Sequence, residues 1–312
     1  MTALSVVVPL FDEEANVAPL LAELRATLPA FAPDAEIVLV DDGSRDGTAD
    51  VLGRLAEQHA FLRVITHRSQ RGIADALRSG ADAAGGRVLV FWPADLQYLP
   101  ADIPALVAPI EAGEADIVTG TKQGHYDKRF VSWVYNGLCR WLFGVRVTDL
   151  NSVKAYRREV MDVIPMRPDW HRFMVAIAAG QGFRLTERPV PLHPRRAGRS
   201  KFGVGRIPIG MLDLVAVWLQ LRFGRKPMVF FGVTGAILML LGVAVGIYEI
   251  IQRYVYQQGN RAFLYLVLLL VIAGLMLFGF GFVGELVAGQ REEIHGLQRE
   301  VERLRKEHAG PT

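Results

Sequence analysis

The sequence predicts an α/β protein with a mostly parallel, doubly wound sheet, followed by an interfacial helix and two transmembrane helices. Three observations predict it. Short uncharged runs alternate with helix-period segments over residues 4–120, several of those runs end in acids, and two long uncharged stretches lie near the C-terminus. The run Val88-Leu89-Val90-Phe91-Trp92 is typical. Strands covered by helices on both faces need no polar alternation. Pro93 then stops the ladder, and Asp95 and Gln97 emerge where open α/β sheets bind their ligands.

The elements follow in order. Leu4–Pro9 reads as a first buried strand, and Asp12–Leu28 as a helix with Val17, Leu20, Leu21, Leu24 and Leu28 at helical spacing. A second strand, Glu36–Val40, runs into Asp41-Asp42-Gly43-Ser44-Arg45-Asp46-Gly47-Thr48 and a helix carrying Val51, Leu52 and Leu55. Then come a strand at Leu62–Thr66, a helix at Ile73–Ala83, the Val88 strand, a helix at Ile103–Ile110 and a strand at Asp116–Gly120. Residues 121–206 are less regular. They should hold a helix around Val131–Phe143, a strand near Val153–Tyr156, helices either side of Pro168 and a strand near Phe183–Val190.

Ile207–Phe223 is apolar but carries Asp213 and ends in Arg222, Arg225 and Lys226, which suits a helix lying in a membrane interface. Pro227–Tyr248 and Ala262–Gly284 each have the length a bilayer core requires. Basic residues before the first and after the second outnumber those between them, Arg253 and Arg261, so both termini are expected in the cytoplasm. Beyond Glu285, Ile294, Leu297, Val301 and Leu304 recur at alternating three and four spacing, a short coiled-coil seam that predicts a homo-oligomer or a tail on the lipid surface. The expected domains are 1–206, 207–226, 227–285 and 286–312.

Bulk properties narrow the function classes. A hydrophobic content of 51% and a mean hydropathy of +0.23 exceed what an ordinary soluble protein of this size carries, so a lipid bilayer is an expected partner. A net charge of only +3 argues against a general nucleic-acid binder. One cysteine, Cys139, excludes an intrachain disulfide and fits a reducing compartment. The N-terminal apolar run is short, lacks a basic leader and meets Asp12-Glu13-Glu14, so no signal peptide is expected and the first domain should remain cytosolic.

The candidate chemistry sits at the strand ends. In an extended chain Asp95 and Gln97 would point the same way and could hold one hard cation, while the bland reading has Asp95 cap the next helix. Turn formation and capping need only one acid of Asp41-Asp42-Gly43-Ser44; a second could bind a nucleobase or ribose. No Gly-x-Gly-x-x-Gly follows an early strand and no Walker A loop occurs, which argues against nicotinamide dehydrogenases and P-loop ATPases. Arg195, Arg196, Arg199 and Lys201 precede the interfacial segment, where they could bind a phosphate or anionic head groups. His67, His125 and His171 lack ligand spacing, and His193 is better suited to orienting the basic loop than to holding metal.

Val7-Val8-Pro9-Leu10-Phe11-Asp12-Glu13-Glu14, Val40 through Thr48, Ala94-Asp95-Leu96-Gln97 and His193 through Lys201 together resemble the polyprenyl-phosphate glycosyltransferases, the dolichol-phosphate mannosyltransferase-like branch of glycosyltransferase family 2. The resemblance covers roughly residues 4–206. It implies a GT-A fold and inverting transfer of a sugar from a nucleotide-sugar donor, a UDP- or GDP-sugar, to an undecaprenyl-type polyprenyl phosphate at the cytosolic face of a bacterial inner membrane. By similarity Pro9, Phe11, Glu13, Val40, Asp41, Asp42 and Ala94 line the nucleoside pocket, with Lys128 and Arg129 on the donor phosphates. Asp95 and Gln97 hold Mg²⁺ or Mn²⁺. Arg129, Ser132, Arg195, Arg196, Ser200 and Lys201 bind the acceptor phosphate, and Asp95, Arg195 and Lys201 carry catalysis. The departure is Pro93, where the family has another Asp, so one metal carboxylate is missing. Two rival functions follow from the same residues: a polysaccharide synthase, against which the missing Gln-x-x-Arg-Trp signature counts, and a non-catalytic membrane scaffold with a decayed metal site.

Overall fold

A computed structural model of the chain describes residues 3–59, 61–124, 129–145, 147–150, 152–164, 166–168, 170–194, 206–224 and 226–308; of residues 129–132, 206–209, 291, 292, 295, 296, 298, 299 and 302–308, Leu304 of the expected seam among them, it describes the helical backbone alone. The chain divides into two units, residues 1–210 and 211–312.

In the first unit, strands β1 (Leu4–Leu10), β2 (Glu36–Asp41), β3 (Leu62–Thr66) and β4 (Val88–Phe91) alternate with helices α1 (Glu14–Thr27), α2 (Thr48–Gln58) and α3 (Ile73–Ala83). Next come α4 (Ile103–Glu111), β5 (Ile117–Gln123), α5 (Arg129–Phe143), β6 (Lys154–Arg157), α6 (Arg158–Val163), α7 (Met174–Gly180) and β7 (Leu185–Pro191). The seven strands form one sheet in the order β3-β2-β1-β4-β6-β5-β7. All pairings are parallel except those of β6, which runs antiparallel to both β4 and β5.

Residue alternation explains the layers. Val6, Val8 and Leu10 of β1 join a buried cluster with Val17, Leu20, Leu21 and Leu24 of α1, the helical stripe read from the sequence. Val7 points the other way, against Gly80 of α3, where any side chain would collide with it. β1 therefore lies between helices on both faces, and its uncharged run follows.

This topology sets the crevice. β2 and β3 lie to one side of β1 and β4 to the other, so the connections diverge at the C-terminal ends of β1 and β4, the point where such sheets bind ligands. Hydrogen bonds extend the ladder beyond the strand ends: Trp92 N–H to Val7 O, Asp42 N–H to Leu10 O and His67 N–H to Asp41 O. Because β6 is antiparallel, it begins at the edge where β4 stops, with Lys154 beside Phe91.

The second unit holds most of α8 (Arg206–Phe223), then a short π-helical turn at Met228–Gly232, α9 (Val233–Tyr254) and α10 (Arg261–His308). Met228–Tyr254 and Arg261–Gln290 are long and apolar enough to cross a bilayer, with mean hydropathies of 2.4 and 2.8. Their backbones touch: a Cβ on Gly235 would lie 2.5 Å from the Gly274 carbonyl oxygen, and one on Gly274 2.7 Å from that of Gly235. Close approach of small residues is how helices associate where lipid offers no hydrophobic drive. The expected C-terminal helix is not a separate element. α10 is continuous for 48 residues, because neither proline nor a turn-forming cluster interrupts the chain between the apolar stretch and the heptad stripe. Ile294, Leu297 and Val301 are exposed on it.

Candidate active site

Three loops leave the C-terminal edge of β1, β2 and β4, and the first two are stitched together. Asp12 Oδ1 accepts the Arg45 N–H at 2.7 Å, while the Asp12 N–H donates to Ser44 Oγ at 3.0 Å. Glu13 N–H donates to Thr48 Oγ1, Glu14 N–H to Asp46 Oδ2, and Gly47 N–H to Glu14 Oε2. Asp12 has a φ of +50°, a left-handed conformation uncommon outside glycine, and these reciprocal bonds hold it there. Pro9, Phe11 and Glu13 of the expected nucleoside pocket thus lie on or beside β1 with their loop fixed in place.

The acids after β2 divide the work. Asp41, 1% exposed, closes the turn by accepting the Ser44 N–H at 2.9 Å. Gly43 has a φ of +71° and lies so close to Ser69 and Gln70 that no side chain fits. Asp46, one residue before the Gly47 N-cap of α2, accepts the Thr48 N–H at 3.0 Å and the Thr48 hydroxyl at 2.5 Å. Burial pushes the Asp46 carboxyl up, but these bonds and the Glu14 N–H outweigh it and hold it below the usual carboxylate range. Asp42 does neither job. Its carboxylate, 4% exposed, receives the Arg71 and Gly72 N–H groups and the His67 ring.

Asp95 and Gln97 are half-buried on the loop after β4. The segment is not extended, contrary to the expectation behind their pairing: Leu96 has a φ of +56°, and the Gln97 N–H turns back to Asp95 Oδ1 at 3.3 Å. With Leu96 buried at 2% exposure, the loop folds its apolar residue inward and brings the two polar ones together by a turn. Nor does Asp95 cap the next helix; the turn at Pro100–Asp102 starts from Leu99, with no side-chain cap. Gln97 is also tied to the segment after β7. His193 N–H donates to Gln97 O at 2.8 Å, and the Gln97 side-chain amide donates to His193 O at 3.2 Å. Lys128, Arg195, Arg196, Ser200 and Lys201 lie outside the described residues, as does His125, and Arg129 and Ser132 are placed only by the backbone of α5.

A divalent cation fits this loop. Among the described residues no three His, Cys, Asp or Glu side chains come together as a metal cage. Mg²⁺ does not require one, because it keeps several waters and binds through one or two carboxylates plus substrate phosphates. Asp95 would supply that carboxylate, with Gln97 two residues on along the same turn.

Opposite, the start of β6 adds a cluster the sequence did not single out. Lys154 is 4% exposed and donates to Ser152 O at 2.8 Å, while Lys122 Nζ lies 3.3 Å from Asp149 Oδ2. Burial lowers the Lys154 ammonium to about 8, against the pull of Asp149 and with a push from Lys122. His171, 7% exposed, is lowered to about 3 by burial, then by Lys154 and Arg172, and is neutral in water at ordinary pH. The Tyr98 hydroxyl, one residue after Gln97, lies 3.2 Å from Ser152 Oγ and links the two sides. The missed signal was position: His67 and Lys154 occupy the same sheet edge as the acids.

The model for glycosyl transferase family 2 matches residues 5–164, β1 through α6. The chain belongs to glycosyl transferase family 2. It is 31% identical to dodecaprenyl-phosphate galacturonate synthase of Rhizobium johnstonii, over 91% of this chain and 87% of that protein. It is 29% identical to undecaprenyl-phosphate 4-deoxy-4-formamido-L-arabinose transferase of Pseudomonas savastanoi pv. phaseolicola, over 95% and 88%. Glucosyl-3-phosphoglycerate synthase from Mycobacterium tuberculosis, solved with Mn²⁺, UDP and phosphoglyceric acid, shares its fold: TM-score 0.57 at 20% identity, over 70% of this chain and 78% of that one. The family 2 enzyme therefore has the expected GT-A architecture and is a glycosyltransferase.

Proposed function

We propose that the chain transfers a sugar from a nucleotide-sugar donor to the phosphate of a membrane polyprenyl phosphate, with inversion, at the cytosolic face of a bacterial inner membrane. An acceptor phosphate oxygen forms the new bond to the anomeric carbon as the bond to the donor diphosphate breaks, and the nucleoside diphosphate leaves with both electrons. A phosphate monoester has its second pKa at about 6, so the nucleophile is largely ionised at neutral pH and needs no protein base. Asp95 and Gln97 would hold Mg²⁺ or Mn²⁺, which neutralises the charge growing on the departing diphosphate. Asp42 and the β1 loop would bind the base and ribose.

The observation that carries this reading is the two-way bond between Gln97 and His193. It joins the candidate metal loop to the segment from which Arg195 through Lys201 follow. An anionic donor and an anionic acceptor need both close together. The relatives' polyprenyl-phosphate substrates and the two apolar helices support a membrane enzyme, and the basic residues flanking the two stretches favour a catalytic domain in the cytoplasm. In that arrangement residues 1–206 catalyse, 207–226 lie in the interface, 227–285 anchor, and the exposed stripe of Ile294, Leu297 and Val301 pairs with a second copy.

The test is incubation of the purified protein with a panel of UDP- and GDP-sugars and undecaprenyl phosphate, followed by mass spectrometry of the lipid. A glycosylated lipid phosphate is expected. Sugar release to water alone, or elongation into a polysaccharide, would overturn the reading.

A further inference from the structure

Asp42 accepts bonds from three donors, and two of them are backbone groups of one loop: Arg71 N–H to Oδ1 at 2.9 Å and Gly72 N–H to Oδ2 at 2.8 Å. The third is the His67 ring, whose Nδ1 lies 2.9 Å from Asp42 Oδ1. A carboxylate only accepts, so this Nδ1 carries the hydrogen. The other ring nitrogen, Nε2, lies 2.9 Å from Ser79 Oγ on α3. In the neutral imidazole Nε2 is then the acceptor and the Ser79 hydroxyl its donor. Ser, His and Asp in this order match a hydrolytic triad in connectivity. Ser79 is well inside α3, however, where the neighbouring N–H groups are committed to the helix and cannot form an oxyanion hole.

We infer that Ser79 and His67 are positioning residues that lock the Asp42 carboxylate so that one acceptor site remains for a ring N–H of the donor's nucleobase. The inference rests on the nucleotide reading of Asp42 given above. A carboxylate offers about four acceptor sites. Among the described residues His67, Arg71 and Gly72 occupy three of them, one on Oδ2 is left, and side-chain exposures of 5% for both His67 and Asp42 keep water from competing freely. Uracil and guanine carry a ring N–H; cytosine and adenine present a bare ring nitrogen at the corresponding place, which would face a carboxylate lone pair. A site built to receive a hydrogen bond rejects ligands that lack the donor far better than shape alone does. The lock thus turns an acid into a discriminator between base classes. Ser79 contributes by fixing the tautomer, since without it the ring could turn a bare nitrogen toward Asp42.

Calorimetry on the full chain in nanodiscs with UDP, GDP, CDP and ADP, each with Mg²⁺, tests this. The wild type should prefer UDP or GDP over CDP and ADP by about 100-fold or more. His67→Leu, which keeps bulk but no donor, should lose about tenfold of that preference. His67→Asn, whose amide can replace Nδ1–H, should stay within about threefold of wild type, and Ser79→Ala should lose about threefold. Wild-type preference in His67→Leu overturns the lock, and so does a His67→Asn protein as indiscriminate as His67→Leu. If His67→Leu does not fold, Ser79→Ala and His67→Asn decide, and wild-type preference in Ser79→Ala overturns it. Asp42→Asn separates the two readings. No change in binding of any nucleotide would remove the nucleotide site itself, whereas a loss there with none at His67 or Ser79 removes only the lock.

Discussion

The two halves of the sheet treat their ionisable groups in different ways. Around β1, β2 and β3 the carboxylates of Asp12, Asp41, Asp42 and Asp46 are all met by backbone N–H donors of their own or neighbouring loops, and Asp46 is held below its ordinary range as a result. Around β5, β6 and β7, Lys154 and His171 are pushed toward their neutral forms by burial, and among the described residues His171 Nδ1 and the Tyr156 hydroxyl find no partner. The carboxylates of the first half are bonded before a ligand arrives, which is what preorganisation requires. The second holds desolvated groups whose cost is only partly compensated, a pattern found where function selects against maximal stability. The difference teaches where binding precision resides and where the fold is under tension.

The sharpest test of the boundary between the halves is Asp95, on the loop that joins them. Asp95→Asn should reduce sugar transfer about 1,000-fold, as the loss of a group stabilising developing charge does, with membrane insertion and melting temperature unchanged. Undiminished turnover would remove the metal role. Next in size, Arg195→Ala or Lys201→Ala should raise the KM for donor or acceptor tenfold or more, since each would remove a charge-assisted phosphate bond. Equal kinetics would assign these residues to the lipid surface.

A buried charge provides the third test. Lys154 titrates at about 8 in the folded protein against 10.5 as a free side chain, so the unfolded chain binds more protons between those values. Stability then rises with pH across that window, by about 3 kcal/mol from this group alone. Lys154→Met lacks the term. Denaturant unfolding of both proteins from pH 7.5 to 10.5 should show the wild type gaining on the variant as pH increases. A constant difference would mean that Lys154 is better solvated than its 4% exposure implies.

How much was legible in the sequence follows the same division. β3 and α3 appear at the residues their periodicity predicts, because local pattern and burial agree there. The acids of the β2 loop were legible because a strand end followed by glycine leaves few alternatives. His67 was not, because its value lies in contacts with Asp42 and Ser79, 25 and 12 residues away, that no spacing encodes. Lys154 was hidden for a related reason. A lysine at a strand start reads as solvent-facing until an antiparallel turn of topology buries it between Phe91 and Thr119. The turn at Leu96 replaced an extended segment because a buried leucine outweighed the preference for negative φ.

The smallest effect lies in the first half, and it tests whether that half is held by many weak bonds or by one strong one. Asp46 accepts the Thr48 N–H at the start of α2 and the Glu14 N–H across the loops, but its side chain is exposed and water screens it. Asp46→Ala should therefore cost about 1 kcal/mol, the usual net value of a lost hydrogen bond. Because the folded Asp46 carboxyl lies below its ordinary value, its contribution is present above about pH 4 and is lost as pH falls through the folded value. Thermal melts of wild type and variant should differ at pH 7 and converge in acid. A loss of several kcal/mol at pH 7 would instead make Asp46 the keystone of the stitched loops, and nucleotide affinity should then fall in parallel.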